Sequence, residues 1–412
     1  MDVKNFFSKK IGLLLFLLSY TSLIISFFLN EDGSGSGARG DFEVTYGFIL
    51  ALQENLLADP KDWTLVHTPL HFIILSYISL IFKNPDNLRL LFCLFSIILP
   101  FIFFQIFKIN KNNKNLNNLL VIASCIFLLP AFRYTSIWAN DLITSTIFFL
   151  FSIFYFKKWE LNQNEKIDTN IFLQFLFLVL AVYTRQYFAV FFIYFLYRYF
   201  LVLKIKSFIN LFILCVISSI PVFAYVYYFP ELLTGQHISA KAYNYFLLGN
   251  SSIMSLYIYP IILINFLYKK IFLNLKILKY FILSTLIVFF LSLNFSPIGW
   301  QGGGINLIIS QKIFNSNIYF YLSSVITFTF FFYLFFEDKK NIILILLLLF
   351  MFFSYQVYQR YYEPMFFLIY FTLFQTNTTK VFFENTISVL LLFFYFIIYY
   401  FGAVSDIIYK LN

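Results

Sequence analysis

Short polar knots interrupt an otherwise apolar chain, and several carry residues able to do chemistry. The first reads Asn30-Glu31-Asp32-Gly33-Ser34-Gly35-Ser36-Gly37-Ala38-Arg39-Gly40-Asp41-Phe42-Glu43. Its Gly/Ser stretch delivers two carboxylates, Asp41 and Glu43, onto a predicted helix start. A carboxylate there can act as a general base or metal ligand at a membrane–water boundary. Equally, Asp41 can simply cap the helix, since Asp is a favoured N-cap. The second knot places His67-Thr68-Pro69-Leu70-His71 after Asp59-Pro60-Lys61-Asp62-Trp63. Trp63 suits an interfacial anchor. His67 and His71 are either a two-histidine metal pair or interfacial residues with ordinary hydrogen bonds.

Three further knots follow. Arg133-Tyr134-Thr135-Ser136-Ile137-Trp138-Ala139-Asn140-Asp141 ends one apolar run and opens the next. Asp141 is there a plain N-cap or the lining of a cavity, because charges at a membrane boundary are costly and are functional candidates. Arg185-Gln186 sits between two long apolar runs, where Arg185 either snorkels to the interface or holds an anionic lipid phosphate. Gln359-Arg360-Tyr361-Tyr362-Glu363-Pro364 offers Arg360 for phosphate or for a local pair with Glu363. The segments Pro230 to Gly249 and Gly299 to Gly304 fit either acceptor binding or lids.

The elements that must position these residues follow from composition. The chain of 412 residues is 61% hydrophobic and 12% charged, with 62 Phe and 31 Tyr. A soluble domain is about 45–50% apolar and about 25% charged. A water-soluble enzyme, a disordered chain and an outer-membrane barrel, whose strands would alternate polar and apolar residues, are therefore excluded. Apolar runs of roughly 15–22 residues match the length of membrane-crossing helices. The expected fold is all-α: a polytopic bundle of about 11–13 helices. The net charge of +10 is spread between apolar runs, so no nucleic-acid surface is expected. Cys93, Cys125 and Cys215 lie inside apolar runs and form no disulfide or metal-finger spacing. The run Ile11 to Leu29 is long enough to span and lacks a small-residue cleavage site, so it reads as a retained first helix.

Lysine clusters mark the cytoplasmic side. They share one side only if the short run Thr68 to Phe82 does not cross, so it is placed on the outer face as an interfacial or re-entrant helix. Expected spans are near 11–29, 89–107, 118–133, 142–156, 170–184, 186–203, 207–228, 253–268, 280–295, 317–336, 341–357, 365–376 and 385–403. The first outer loop, 30–89, then holds juxtamembrane helices near 42–57 and 69–82. A module 1–203 containing that loop precedes C-terminal helices, 204–412, with outer loops 229–252, 294–316 and 358–364. Of six Arg, five (Arg39, Arg89, Arg133, Arg185, Arg360) fall outside, and Arg198 is the exception. Positive-inside bias predicts the reverse, and guanidinium makes bidentate phosphate or carboxylate contacts that Lys does not.

Taken in order, these features resemble the GT-C superfamily of integral-membrane glycosyltransferases. Asp41 and Glu43 match the family's acidic pair, and Thr68-Pro69-Leu70 its proline-led opening, with one proline instead of two. Ser136 to Asp141 resembles the later segment ending in Asp. Tyr183-Thr184-Arg185-Gln186 and Arg360-Tyr361-Tyr362-Glu363-Pro364 are similar to segments of the dolichyl-phosphate-glucose transferases. The family 39 transferases share the first features. The resemblance covers about residues 1–200 and weakens beyond.

It implies transfer of a sugar from a polyprenyl-phosphate donor to an acceptor hydroxyl on the extracytoplasmic face, with inversion. Asp41 would be the base, assisted by Glu43. Arg185, Gln186, Arg360 and Tyr361 would hold the donor phosphate. His67, His71, Arg133 and Asp141 would line the site, with an optional divalent cation at Asp141, His67 and His71 and no required cofactor. The acceptor would be a glycan, lipid or protein, and the setting a bacterial inner membrane with the site facing the periplasm. An O-antigen-type polymerase or ligase, or a lipid-linked sugar transporter, are the other classes the sequence allows.

Overall fold

The computed structural model describes residues 3–34, 37–55, 58, 67–109, 115–228, 243–268, 275–293, 295, 304–352 and 357–410. Trp63, residues 229–242 and the glycines at 299 and 302–303 lie outside the described residues. The chain is an all-α polytopic bundle, with no strand among the described residues. It divides into two compact units, one of Met1–Gly235 with Phe396–Asn412 and one of Gln236–Tyr395. By packing, the division therefore falls later than residue 203, and the chain's last segment returns to the first unit.

Among the described residues, eight helices are long and apolar enough to cross a membrane, or nine if the bent pair Leu116–Leu128 and Pro130–Ile137 counts as one span. This is fewer than the 11–13 expected from apolar runs. Pro130 accounts for the bend of 66° in the pair: with no N–H and a fixed φ it starts a new helix and cannot continue the old one. Other expected crossings are short. Thr169–Thr184 has 16 residues, Phe191–Phe200 has 10, Ile342–Phe350 has 9 and Met365–Thr372 has 8.

In the first unit, helix α1 (Val3–Phe28) turns Gly12, Phe16, Ser19, Leu23, Ser26 and Phe27 inward. That spacing of three and four is one face of an α-helix. It packs on α6 (Leu116–Ser124), where Gly12 permits backbone contact: a Cβ at Gly12 would sit 2.5 Å from the Asn117 carbonyl oxygen. Between them in sequence lie α2 (Gly37–Glu54), α3 (Leu70–Ile81), α4 (Pro85–Phe95) and α5 (Ile98–Ile109). Next come α7 (Pro130–Ile137), α8 (Asp141–Asn162), α9 (Thr169–Thr184), α10 (Phe191–Phe200) and α11 (Ile205–Tyr228). The helix starts are locally encoded: Asn84, Asn140 and Asp168 each accept a backbone N–H as side-chain N-caps of α4, α8 and α9.

The two ends of this unit differ in chemistry. Along α8, Asp141 and Glu160 are separated by about 28 Å at ~1.5 Å per residue. At the Glu160 end, Lys157 and Arg198 pair with Glu160, and Lys204 pairs with Glu165. Arg89, Arg133 and Arg185 gather at the Asp141 end, which we call the arginine end. There the indole N–H of Trp138 donates to the Glu31 carbonyl, just beyond α1, at 3.0 Å.

Helix α3 begins and finishes at the arginine end. At its start, His71 meets Ala139 and the Thr68 hydroxyl donates to the Val182 carbonyl at 2.8 Å. Just past its finish, the Lys83 carbonyl accepts from the Tyr46 hydroxyl at 2.9 Å. Asp86 and Asn30 then share the Arg89 guanidinium. A 12-residue helix is about 18 Å long, short of a ~30 Å hydrocarbon core. Both ends of the segment thus lie at the arginine end, the arrangement expected of a helix that does not cross. Phe48 and Leu52 of α2 and Phe72 of α3 form the small core that joins this helical pair.

The second unit centres on α12 (Tyr243–Leu267), α13 (Leu275–Ser292) and α15 (Ile318–Glu337), with α14 (Gly304–Phe314) packed beside them. Helix α12 begins within the stretch expected as a loop up to residue 252, and α14 occupies part of the expected loop 294–316. Asn306 fastens α14, donating to the Ser252 carbonyl at 2.7 Å and the Ser255 hydroxyl at 2.8 Å. Gly304 sits at φ +69°, and a Cβ there would lie 2.6 Å from Ile253. The chain continues through α16 (Ile342–Phe350), α17 (Met365–Thr372), α18 (Lys380–Glu384) and α19 (Thr386–Lys410), whose last part belongs to the first unit.

Gly12→Ala should therefore lower the thermal unfolding temperature in detergent, because the obstacle is backbone and overpacking costs about 1–3 kcal/mol. Gly40→Ala in α2, with nothing within 4 Å of the added carbon, should leave it unchanged or raise it slightly. Equal effects of the two substitutions would contradict this packing.

Candidate functional site

Arg133 is fully buried on α7, and its donors are all engaged. Its Nε donates to Glu31 Oε1 at 2.9 Å and its Nη2 to Glu31 Oε2 at 3.1 Å. The other N–H groups reach the Ser22 hydroxyl and carbonyl, the Phe127 carbonyl and the Ser26 hydroxyl. Tyr400 closes the group from the C-terminal segment, donating to Glu31 Oε2 at 2.8 Å with its ring 4.3 Å from the guanidinium carbon. Arg133 was expected to line a ligand site. Its place is instead a structural clamp, since a guanidinium with every N–H committed has none for a ligand. Arg89 is similar: it bonds Asp86, Asn30 and the Ile137 carbonyl, and its guanidinium carbon lies 3.6 Å from the Trp138 ring centre.

Sequence reasoning did not single out Glu31. A signal existed: a carboxylate immediately after an apolar run, on a helix whose Ser19, Ser22 and Ser26 follow one stripe. Burial raises the pKa of the Glu31 carboxyl, but bonding and charge from Arg133, then Ser26 and Tyr400, outweigh it and hold it below the ordinary value.

A second buried group forms where three distant segments meet. Arg185, at the end of α9, donates through Nη2 to Asp141 Oδ1 at 2.5 Å and to Asn140 Oδ1 at 3.0 Å. Both members of the ion pair are almost wholly buried, with side chains 1% and 4% exposed. Asn140 has two tasks, since the same oxygen caps α8 through the Leu142 N–H at 3.1 Å. Asp141 Oδ2 lies 4.0 Å from His67 Nε2 and has no hydrogen bond among the described residues. The Tyr187 ring centre is 5.8 Å from the Arg185 guanidinium carbon, and Gln186 opens the short 3-10 turn that follows. Four of the expected site residues, Asp141, Arg185, His67 and His71, are thus brought to one place.

His71 is fully buried, and both ring nitrogens are used. The Ala139 carbonyl can only accept, so Nε2 carries the proton and donates at 3.0 Å, while Nδ1 accepts from the Thr144 hydroxyl at 2.9 Å. Burial pushes its pKa down to about 4, which keeps it neutral. It holds Ala139 at φ +46°, a backbone conformation an alanine rarely adopts. With no lone pair left on His71 and Asp141 Oδ1 shared with Arg185, these residues do not fit the divalent-cation site expected at Asp141, His67 and His71. No group of three or more His, Cys, Asp or Glu suited to a metal occurs among the described residues.

Asp41 and Glu43 are placed differently from expectation. Helix α2 begins at Gly37, so Asp41 lies inside it, half-buried, and does not cap it. The cap comes from upstream: the Ser34 hydroxyl accepts the Ala38 N–H at 2.7 Å and Asp32 accepts the Arg39 N–H at 3.0 Å. Glu43 is exposed and pairs with Arg39 at 3.1 Å. Arg360 and Tyr361 belong to the second unit, where Tyr361 stacks on Phe352 and the Arg360 guanidinium carbon is 5.6 Å from the Tyr358 ring centre. Glu363, expected as a partner for Arg360, is fully buried and accepts from the Tyr257 hydroxyl at 2.5 Å. That hydroxyl in turn accepts from Gln359 at 2.7 Å.

The fold and these sites define a polytopic helical membrane protein with two buried arginine–carboxylate pairs at one end of its first unit. No known protein family, curated protein or solved structure matches the chain.

Glu31→Gln should be strongly destabilising, since it leaves a buried guanidinium without its counter-charge, at a cost of about 3–5 kcal/mol. Because the folded pKa of Glu31 is depressed, its contribution is complete above the ordinary carboxylate range. It is lost as pH falls through the depressed value. Wild-type melting temperature should therefore fall on acidification, and the Gln variant should show a shallower fall over the same range.

Proposed function

We propose that the chain is a membrane-embedded glycosyltransferase that moves a sugar from a polyprenyl-phosphate donor to an acceptor hydroxyl at the arginine end. The observation that carries this reading is the convergence of Arg185, Asn140, Asp141 and His67 on one buried spot, at the end where arginine replaces lysine. Guanidinium is the side chain suited to a phosphate oxygen in a site of low dielectric. This spot borders the start of α3, where the proline-led opening stands.

The chemistry assigned to the residues is a single displacement. Asp41 takes the proton of the acceptor hydroxyl, with Glu43 orienting it, and the oxygen attacks the anomeric carbon. The bond from that carbon to the phosphate oxygen breaks, and the lipid phosphate leaves with the electron pair. Arg185 and Gln186 stabilise the charge developing on that phosphate. The half-buried position of Asp41 on α2 suits a base reachable by an acceptor. The exposed Arg39–Glu43 pair argues for a secondary role for Glu43. The acceptor is a glycan, lipid or protein, and the setting is a bacterial inner membrane with the arginine end facing the periplasm.

The test uses purified protein in detergent with a panel of radiolabelled polyprenyl-phosphate sugars. Wild type should bind one donor and transfer its sugar. Asp41→Asn should bind it normally and lose transfer by about 10²-fold or more, the usual contribution of a general base. If wild type neither binds nor uses any such donor, the donor class is wrong, and a polymerase or ligase becomes the better reading.

A further inference from the structure

In the structure the Arg185 guanidinium faces an anion that belongs to the chain itself. Asp141 Oδ1 and Asn140 Oδ1 both accept from its Nη2, the two charges are nearly sealed from water, and together they are neutral. A phosphate brought to Nη2 of Arg185 would meet the Asp141 carboxylate at that nitrogen. Two anions held there without water between them repel strongly.

We propose that Asp141 is a built-in occupant of the phosphate site: its carboxylate fills the place of the ligand's phosphate on Arg185, and the donor binds by displacing it. This rests on the reading of Arg185 as a phosphate-binding residue.

The surroundings make the displacement feasible. Asp141 Oδ2 makes no hydrogen bond among the described residues, so turning the carboxylate away from Arg185 sacrifices one strong contact and not a network. His67 Nε2 lies 4.0 Å from that same oxygen, with its side chain a quarter exposed. Asn140 stays in place meanwhile, because its oxygen also caps α8, and His71 anchors the preceding Ala139 carbonyl. The backbone beneath Asp141 is thus pinned on both sides while its side chain can turn. The carboxylate also prevents a buried guanidinium from standing uncompensated when no lipid is bound.

This assignment has a sign opposite to the ordinary one. If Asp141 merely orients Arg185 for the ligand, removing its charge weakens phosphate binding. As a competing occupant, its removal strengthens binding. Asp141→Asn is close in shape and leaves an amide oxygen for Nη2, so the fold has a substitute contact. Asn140→Asp retains a good N-cap for α8 but adds a second competing carboxylate.

The experiment measures binding of radiolabelled polyprenyl phosphate, against polyprenol as the control lacking the phosphate, to purified protein in detergent. Wild type should prefer the phosphate, Asp141→Asn should bind it about tenfold more tightly, and Asn140→Asp about tenfold more weakly, with polyprenol unaffected. Wild type that prefers phosphate while Asp141→Asn binds equally or more weakly overturns the built-in occupant and leaves the phosphate reading standing. If Asp141→Asn does not fold, unchanged binding by Asn140→Asp overturns it instead. Wild type without preference for phosphate over polyprenol removes both readings together.

Discussion

The arginine end of the first unit depends on one buried ion pair, Glu31 with Arg133. Three parts of the chain meet at that guanidinium: the end of α1 with the residues just after it, the break before α7, and the C-terminal helix through Tyr400. A buried charge is tolerated only when paired and fully hydrogen-bonded, so this group admits one arrangement of its neighbours. Once Glu31 is held, its carbonyl receives Trp138, Asn30 receives Arg89, and the chain leaves α1 in a defined direction toward α2. The Arg185–Asp141 pair stands on the segment that Trp138 and Ala139 carry, downstream of the same clamp.

The two pairs differ in how completely they are satisfied. Arg133 has more acceptors than N–H groups and a carboxylate whose two oxygens are both taken. Asp141 has one oxygen on Arg185 and the other with no hydrogen bond among the described residues. A closed network of the first kind rigidifies. One with an underused buried oxygen is where a ligand can enter at the least cost in lost contacts.

Much of this was legible in the sequence because it is local. Apolar runs marked the helices, and lysine counting led to the expectation that the segment after Pro69 does not cross. Of the arginines expected on one side, Arg89, Arg133 and Arg185 gather at one end of the first unit. What failed was long-range pairing. Arg133 and Arg185 look alike as single arginines beside apolar runs, and only the presence of Glu31, 102 residues from Arg133, distinguishes them. Asp41 was read as a helix start because the glycines before it suggested flexibility, whereas Asp32 and Ser34 cap α2 earlier. Short helices such as Ile342–Phe350 were counted as spans because their apolar runs are longer than the regular structure they form.

The central claim is that the loops bearing arginine, with the return helix between them, share one side of the membrane. Single cysteines introduced by Arg39→Cys, Lys83→Cys and Asn162→Cys, all at exposed positions, test it in a background in which Cys93, Cys125 and Cys215 are replaced. Labelling sealed vesicles with a membrane-impermeant maleimide should modify positions 39 and 83 from the same side and position 162 only from the other. Labelling of 39 and 83 from opposite sides would mean that α3 crosses, and would contradict the account.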